Sequence, residues 1–192
     1  MDFFVLPPSG DLYAYPSEMS DTDQASFVEN TERDCLLLST NASVAWEFTG
    51  TWERAVEQYF PRYNNHSIAV GFFAVNVPFL APILNVWNNS MGQPTFYRII
   101  GEDVVLFKPR EWRGIGTGTP MERISKKEYL TVAEMADELN TYPKGTVSHI
   151  YLTSDGGGNL DMLYDLVALL DNHVQVVNHK ALISMAIQRG RD

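Results

Sequence analysis

His149-Ile150-Tyr151-Leu152-Thr153-Ser154-Asp155-Gly156-Gly157 runs from the apolar residues after its histidine to a close on glycine, and Gly158 and Asn159 lengthen the close. Residues 147–153 read as a strand and residues 154–159 as a tight turn. Residues 160–172 read as a helix, with Leu160, Leu163, Tyr164, Val167 and Leu170 along one stripe. Val174-Gln175-Val176-Val177 reads as a second strand. Residues 181–189 read as a second helix, ending at Gly190. A β-α-β-α order predicts two parallel strands joined by a right-handed crossover. The expected fold class is therefore α/β, with parallel strands in the C-terminal half and an α+β N-terminal half.

Glycines between a strand and a helix have a chemical use. They leave backbone N–H groups unshielded, and the helix start adds a partial positive charge. Gly156, Gly157 and Gly158 thus form a candidate cradle for a phosphate, a carboxylate or an oxyanion. A tight structural turn needs the same glycines. The second helix begins Ala181-Leu182-Ile183-Ser184-Met185-Ala186, which puts Ser184 in its first turn. A serine beside such a cradle is a candidate nucleophile. A small residue packed at a helix start is the plainer reading.

These two segments together resemble a family. The first is similar to the "IYLNSPGG" strand and turn of Clp-type serine peptidases and related phage prohead proteases. The second is similar to their "AASMA" nucleophile segment. The 27 residues from Gly157 to Ser184 are close to the family's spacing. The resemblance covers residues 147–190. It implies the Clp/crotonase superfamily fold, with Ser184 as nucleophile and the N–H groups of Gly157 and Met185 as oxyanion hole. It also implies assembly into rings or trimers. Asp155 stands where the family has proline. The family's histidine and acid follow the serine, whereas only eight residues follow Ser184 here. His66, His149, His173 and His179 all precede it, and His179 is the candidate base nearest in sequence. Asp161, Asp165 and Asp171 read as solvated helix residues rather than as an orienting acid.

The rest of the chain bounds the function. Its 192 residues are 45% hydrophobic and 20% charged, which fits one or two globular domains and excludes a disordered chain. The net charge of −10 argues against nucleic acid as a partner. Residues 1–60 hold 11 acids against two bases. That region reads as a solvated acidic face, or else as a surface for a basic partner. Residues 63–97 contain no Asp, Glu, Lys or Arg. Within them residues 68–87 are apolar enough in length for a membrane span, but Gly71, Asn76, Pro78, Pro82 and Asn85 interrupt them. A buried strand followed by a broken helix is expected, or else an apolar oligomer surface, not a span. The one cysteine, Cys35, lies in the apolar run Cys35-Leu36-Leu37-Leu38, which reads as a buried strand. No secretory signal opens the chain, so a reducing cytoplasm is the expected compartment.

Coarser elements follow from local signals. A helix is expected from Ser20 or Asp21 to Arg33, and another over residues 51–60, stopped by Pro61. Residues 96–100 and 104–107 read as strands around Gly101-Glu102-Asp103. Residues 108–127 read as a loop, and Gly114-Ile115-Gly116-Thr117-Gly118 within it is only a faint phosphate-loop signal. Thr131 with Glu134 predicts a capping box for a helix to Asn140. Two regions are expected, 1–95 and 96–192. No metal or cofactor site is expected, because no histidine or acid cluster has ligand spacing. Two functions stand side by side. One is a degenerate or truncated Clp/crotonase-like protein that binds a protein or peptide, or a second copy of itself. The other is a serine hydrolase using Ser184, with a base from an upstream histidine or a neighbouring subunit.

Overall fold

The computed structural model describes residues 4–7, 9–47, 52–64, 66–75, 96–108, 111–112, 130–152 and 158–190. The chain folds as two compact units. The first comprises Met1–Pro109, Val147–His149 and Asn178–Asp192, and the second comprises Arg110–Thr146 and Ile150–Val177. Residues of the 96–192 region contribute to both. The class is α/β, with a mostly parallel sheet of four strands.

The first unit is built on two central strands, Gly71–Ala74 and Val104–Phe107, that have no wet face. Its sheet has the order β1-β2-β4-β3: β1 (Ala42–Ala45), β2 (Gly71–Ala74), β4 (Val104–Phe107) and β3 (Tyr97–Ile100). β1, β2 and β4 run parallel, and β3 returns antiparallel to β4 through the turn at Gly101, where φ is +63°. Leu6 adds a single parallel bridge to Ser43 at the open edge. Side chains alternate across this sheet. Phe72, Ala74, Val104 and Leu106 enter one core, and Phe73, Val105 and Phe107 enter the other. That is why β2 and β4 are continuous apolar runs, as strands covered on both faces must be.

Helices cover the two faces. On one lie α1 (Asp21–Leu37) and a helical run that starts as α2 (Trp52–Arg54) and continues through a π turn (Ala55–Tyr59) and a 3₁₀ turn (Phe60–Arg62). Phe27, Tyr59, Phe60, Tyr63 and Phe72 form an aromatic cluster there, and the Tyr59 and Tyr63 hydroxyls share a hydrogen bond of 2.9 Å. α5 (His179–Gly190) covers the other face through Ile183 and Ala186. It comes close because Gly71 lacks a side chain. A Cβ there would lie 2.1 Å from Ile183 Cδ1.

Two strand expectations are corrected. Residues 35–39 are the end of α1 and the turn after it, not a strand. α1 buries Gln24, Phe27, Thr31 and Cys35, which recur at helical spacing. Cys35 is therefore buried, while Leu36, Leu37 and Leu38 are exposed. Residues 174–177 form no strand, and Val176 is exposed. The predicted parallel pairing after the glycine turn is thus replaced by another.

In the second unit β6 (Tyr151–Leu152) pairs in parallel with β5 (Glu111–Trp112), which lies earlier in the chain. Its core is Trp112, Met135, Ala136, Leu139 and Leu166, drawn from β5, α3 (Val132–Asn140) and α4 (Leu160–Leu169). The Trp112 indole N–H donates to Leu130 O at 2.9 Å, so the ring is buried with its polar atom satisfied. The capping box at the start of α3 is formed as expected, with Thr131 and Glu134 reciprocally bonded. Asn140 joins the ends of α3 and α4. Its amide donates to Leu169 O, and its carbonyl accepts from Asp171 N–H.

Part of the acidity near the N-terminus is structural. The Glu32 carboxylate on α1 accepts from Ile68 N–H at 2.6 Å and Ala69 N–H at 2.9 Å, just ahead of β2. Glu47 is buried and accepts from the Ser17 hydroxyl and backbone N–H. Asp21 pairs with Arg62. Glu32 and Glu47 thus serve the fold, while Asp21 is paired yet stays on the solvated face.

Glu32→Ala should lower stability by about 2 kcal/mol, since it strips two N–H groups of a charged acceptor. Glu32→Gln, which keeps one oxygen, should cost less in urea denaturation. Gly71→Ala should cost about 1–3 kcal/mol by overpacking. Ile183→Ala removes both the Cδ1 and the Cγ1 that the new methyl meets, so the double variant should be more stable than additivity predicts.

Candidate functional site

α5 begins at His179, two residues before the expected start. Ser184 is therefore its sixth residue and does not stand in the first turn. The hydroxyl is exposed and donates to Lys180 O at 3.0 Å. This is the back-bond a serine makes to the carbonyl four residues earlier in a helix. Met185 follows at the seventh position. Only the first four N–H groups of a helix lack an internal partner. The Met185 N–H thus falls within the helical ladder, where it is not presented to an oxyanion.

His179 faces elsewhere. Its Nε2 lies 3.2 Å from Thr40 Oγ1, ahead of β1. Residues five apart on a helix are about 140° apart around its axis, so His179 and Ser184 leave α5 in different directions. Burial, and then the charge of Lys180, holds the His179 pKa below its ordinary value. Asn178 caps the helix by accepting from Ala181 N–H at 2.9 Å. Lys180 reaches back to donate to Ser39 O at 2.8 Å, where Ser39 sits in the left-handed region at φ +52°.

Of the glycine turn, Gly156 and Gly157 lie outside the described residues, as does Asp155. Gly158 is described and buried. Asn159 caps α4, its side chain accepting from Met162 N–H at 3.1 Å. That bond satisfies one of the free donors that a bound anion would use. Ser184 belongs to the first unit and Gly158 to the second. The segment 114–118 and residues 76–87 also lie outside the described residues.

A cavity of about 320 Å³ opens beside the start of α5, lined by Cys35, Thr40, Asn41, Ile68 and Lys180 among others. Asn41 Oδ1 is buried there without a hydrogen-bond partner. Cys35 is no nucleophile: burial, and then the Glu32 and Asp34 charges, push its thiol up to about 12. Among the described residues no three His, Cys, Asp or Glu groups lie close enough to hold a metal ion, and no helix is long and apolar enough to cross a membrane.

In the sequence His149 is only one of four histidines upstream of Ser184. It meets Phe73 and Phe107 edge-on, with ring centroids 5.0 and 5.8 Å away, while those two rings stack at 4.8 Å. Both ring nitrogens are sealed from solvent and lack hydrogen-bond partners. Desolvation lowers its pKa to about 4. The unfolded chain, with an ordinary histidine pKa near 6.5, takes up the proton first as pH falls. His149 thus contributes stability that is complete above about pH 6.5 and is lost toward pH 4. The shift corresponds to about 3 kcal/mol. His149→Phe should be destabilised less than the wild type over that pH interval, as read by urea unfolding at each pH. Parallel pH profiles would refute this.

No family model matches the chain, and no curated protein matches it. Among solved structures it is similar to one described as a "putative hydrolase" from Bacteroides thetaiotaomicron VPI-5482, with a TM-score of 0.68 and 15% identity over 97% of this chain. The chain spans 33% of that protein's length. At that identity the likeness is one of fold: an α/β chain that shares its architecture with part of a longer protein.

Proposed function

We propose that this chain is a protein-binding module related to the Clp/crotonase proteins, and that the exposed face of α4 is its contact surface. The observation that carries the reading is the apolar stripe there. Leu160 is 72% exposed, Tyr164 75% and Val167 51%. Large apolar side chains that recur at helical spacing on the wet side of a helix mark an interaction surface. Their burial against a partner would gain about 25 cal/mol per Å² of apolar surface. The motif order and spacing around Gly157 and Ser184 support the kinship. The back-bonded hydroxyl of Ser184 supports a binding role over nucleophilic chemistry, because an unactivated serine attacks poorly.

Hydrolysis by Ser184 is the second reading. The description given to the fold neighbour favours it, as does the exposure of the hydroxyl. It requires α5 to open near Ser184, so that Met185 N–H joins Gly157 N–H in an oxyanion hole, and a base from His179 or another subunit.

A photo-crosslinking residue at Tyr164, introduced in the source cells, should give discrete protein adducts, and the same residue at exposed Lys144 should not. Identical patterns at both positions would sink the binding reading. A fluorophosphonate probe should leave the protein unlabelled. Labelling that disappears in Ser184→Ala would establish the hydrolase instead.

A further inference from the structure

We infer that the partner of α4 is a cationic amphipathic helix and not a second copy of this chain. The inference rests on the binding reading above and names the chemistry of the partner. Leu160, Tyr164 and Val167 fall within about 60° of arc on the helix surface. Asp161 and Asp165 are exposed and lie together along one rim of that stripe. α4 carries no lysine or arginine. The helix packed beside it, α3, carries Glu134, Asp137 and Glu138 and no base. With Asp161 and Asp165 beside the stripe, the α4 face is apolar at its centre and acidic along one edge.

Rim charge selects among occupants. When two identical helices pack antiparallel, each rim meets its own copy, so Asp161 and Asp165 would face two more aspartates. Like charges in that position destabilise a pair. The chain's net charge of −10 adds to the repulsion between copies. An anionic lipid surface is opposed by the same acids. A helix with leucine-like residues on one face and lysine or arginine at its border satisfies both parts of the surface. It would lie along α4 as a groove-bound amphipathic helix does, with i, i+3 and i+4 anchors.

The test uses the whole chain and two synthetic helical peptides of one length. Both carry leucine on one face, with lysine on the other face of the first and glutamate on that of the second. Fluorescence anisotropy should give binding of the leucine/lysine peptide at least about tenfold tighter than of the leucine/glutamate peptide. Leu160→Ser with Tyr164→Ser should weaken it by about tenfold or more, as loss of two central anchors does. Asp161→Asn with Asp165→Asn should weaken it less and flatten its salt dependence. Circular dichroism confirms that each variant is folded.

Equal affinity for the two peptides overturns the inference, and so does binding that both pairs of substitutions leave unchanged. A concentration-dependent dimer in light scattering that Leu160→Ser with Tyr164→Ser abolishes would make a second copy the occupant. That result overturns the cationic partner and keeps α4 as the contact face. Absence of α4-dependent binding, together with no Tyr164-specific adducts, defeats the binding reading itself.

Discussion

The first unit depends on β2 and β4 having no face turned to water. Phe72 and Leu106 fill one core while Phe73 and Phe107 fill the other, one residue out of step. A strand buried on both sides must be covered on both sides. α1 and the helical run after β1 cover one, and α5 covers the other. The backbone entering β2 still needs acceptors, and the Glu32 carboxylate supplies them at Ile68 and Ala69. Gly71 then lets Ile183 come down onto the sheet. The position of α5, and with it of Ser184 and His179, follows from that close approach.

The same packing bears on chemistry. Ile183 and Ala186 point into the core, so Ser184 and Met185 between them are turned outward. Ser184 then spends its hydroxyl on the carbonyl of its own helix. A helix can lend N–H groups to an oxyanion only in its first turn, because only there are they free. A start at His179 moves that privileged turn to residues 179–182. What occupies it is the Asn178 cap, the histidine bound to Thr40 and the lysine bound to Ser39. These contacts tie α5 to the loop ahead of β1.

The second unit is smaller and closes its core around Trp112, between β5, α3 and α4. α4 buries Leu166 and leaves Leu160, Tyr164 and Val167 outside. A small core has room for one side of a helix, so a helix that is apolar nearly all round must leave part of itself exposed. A fold neighbour whose chain is about three times as long shows this architecture within a larger polypeptide.

Local signals in the sequence determined much of the chain. Thr131 with Glu134, the turn at Gly101 and the cap at Ser20 each act through neighbours a few residues away, and each element formed where its signal lay. The α/β class, a buried strand within residues 68–87 and the strand at 104–107 were legible for the same reason, since apolar content is local. Choices that depend on distant partners were not. Cys35-Leu36-Leu37-Leu38 has the composition of a strand, but the helix ahead of it continues because its stripe from Gln24 to Cys35 has a core to enter. Val174-Gln175-Val176-Val177 has strand propensity, but no strand among the described residues pairs with it. β6 found its parallel partner in β5, some forty residues earlier, which no local pattern announces. His149 was silent because a histidine among apolar residues acquires meaning only when Phe73 and Phe107 close on it. Hydrogen-bond partners and burial are properties of pairs, and only the tertiary structure assigns the pairs.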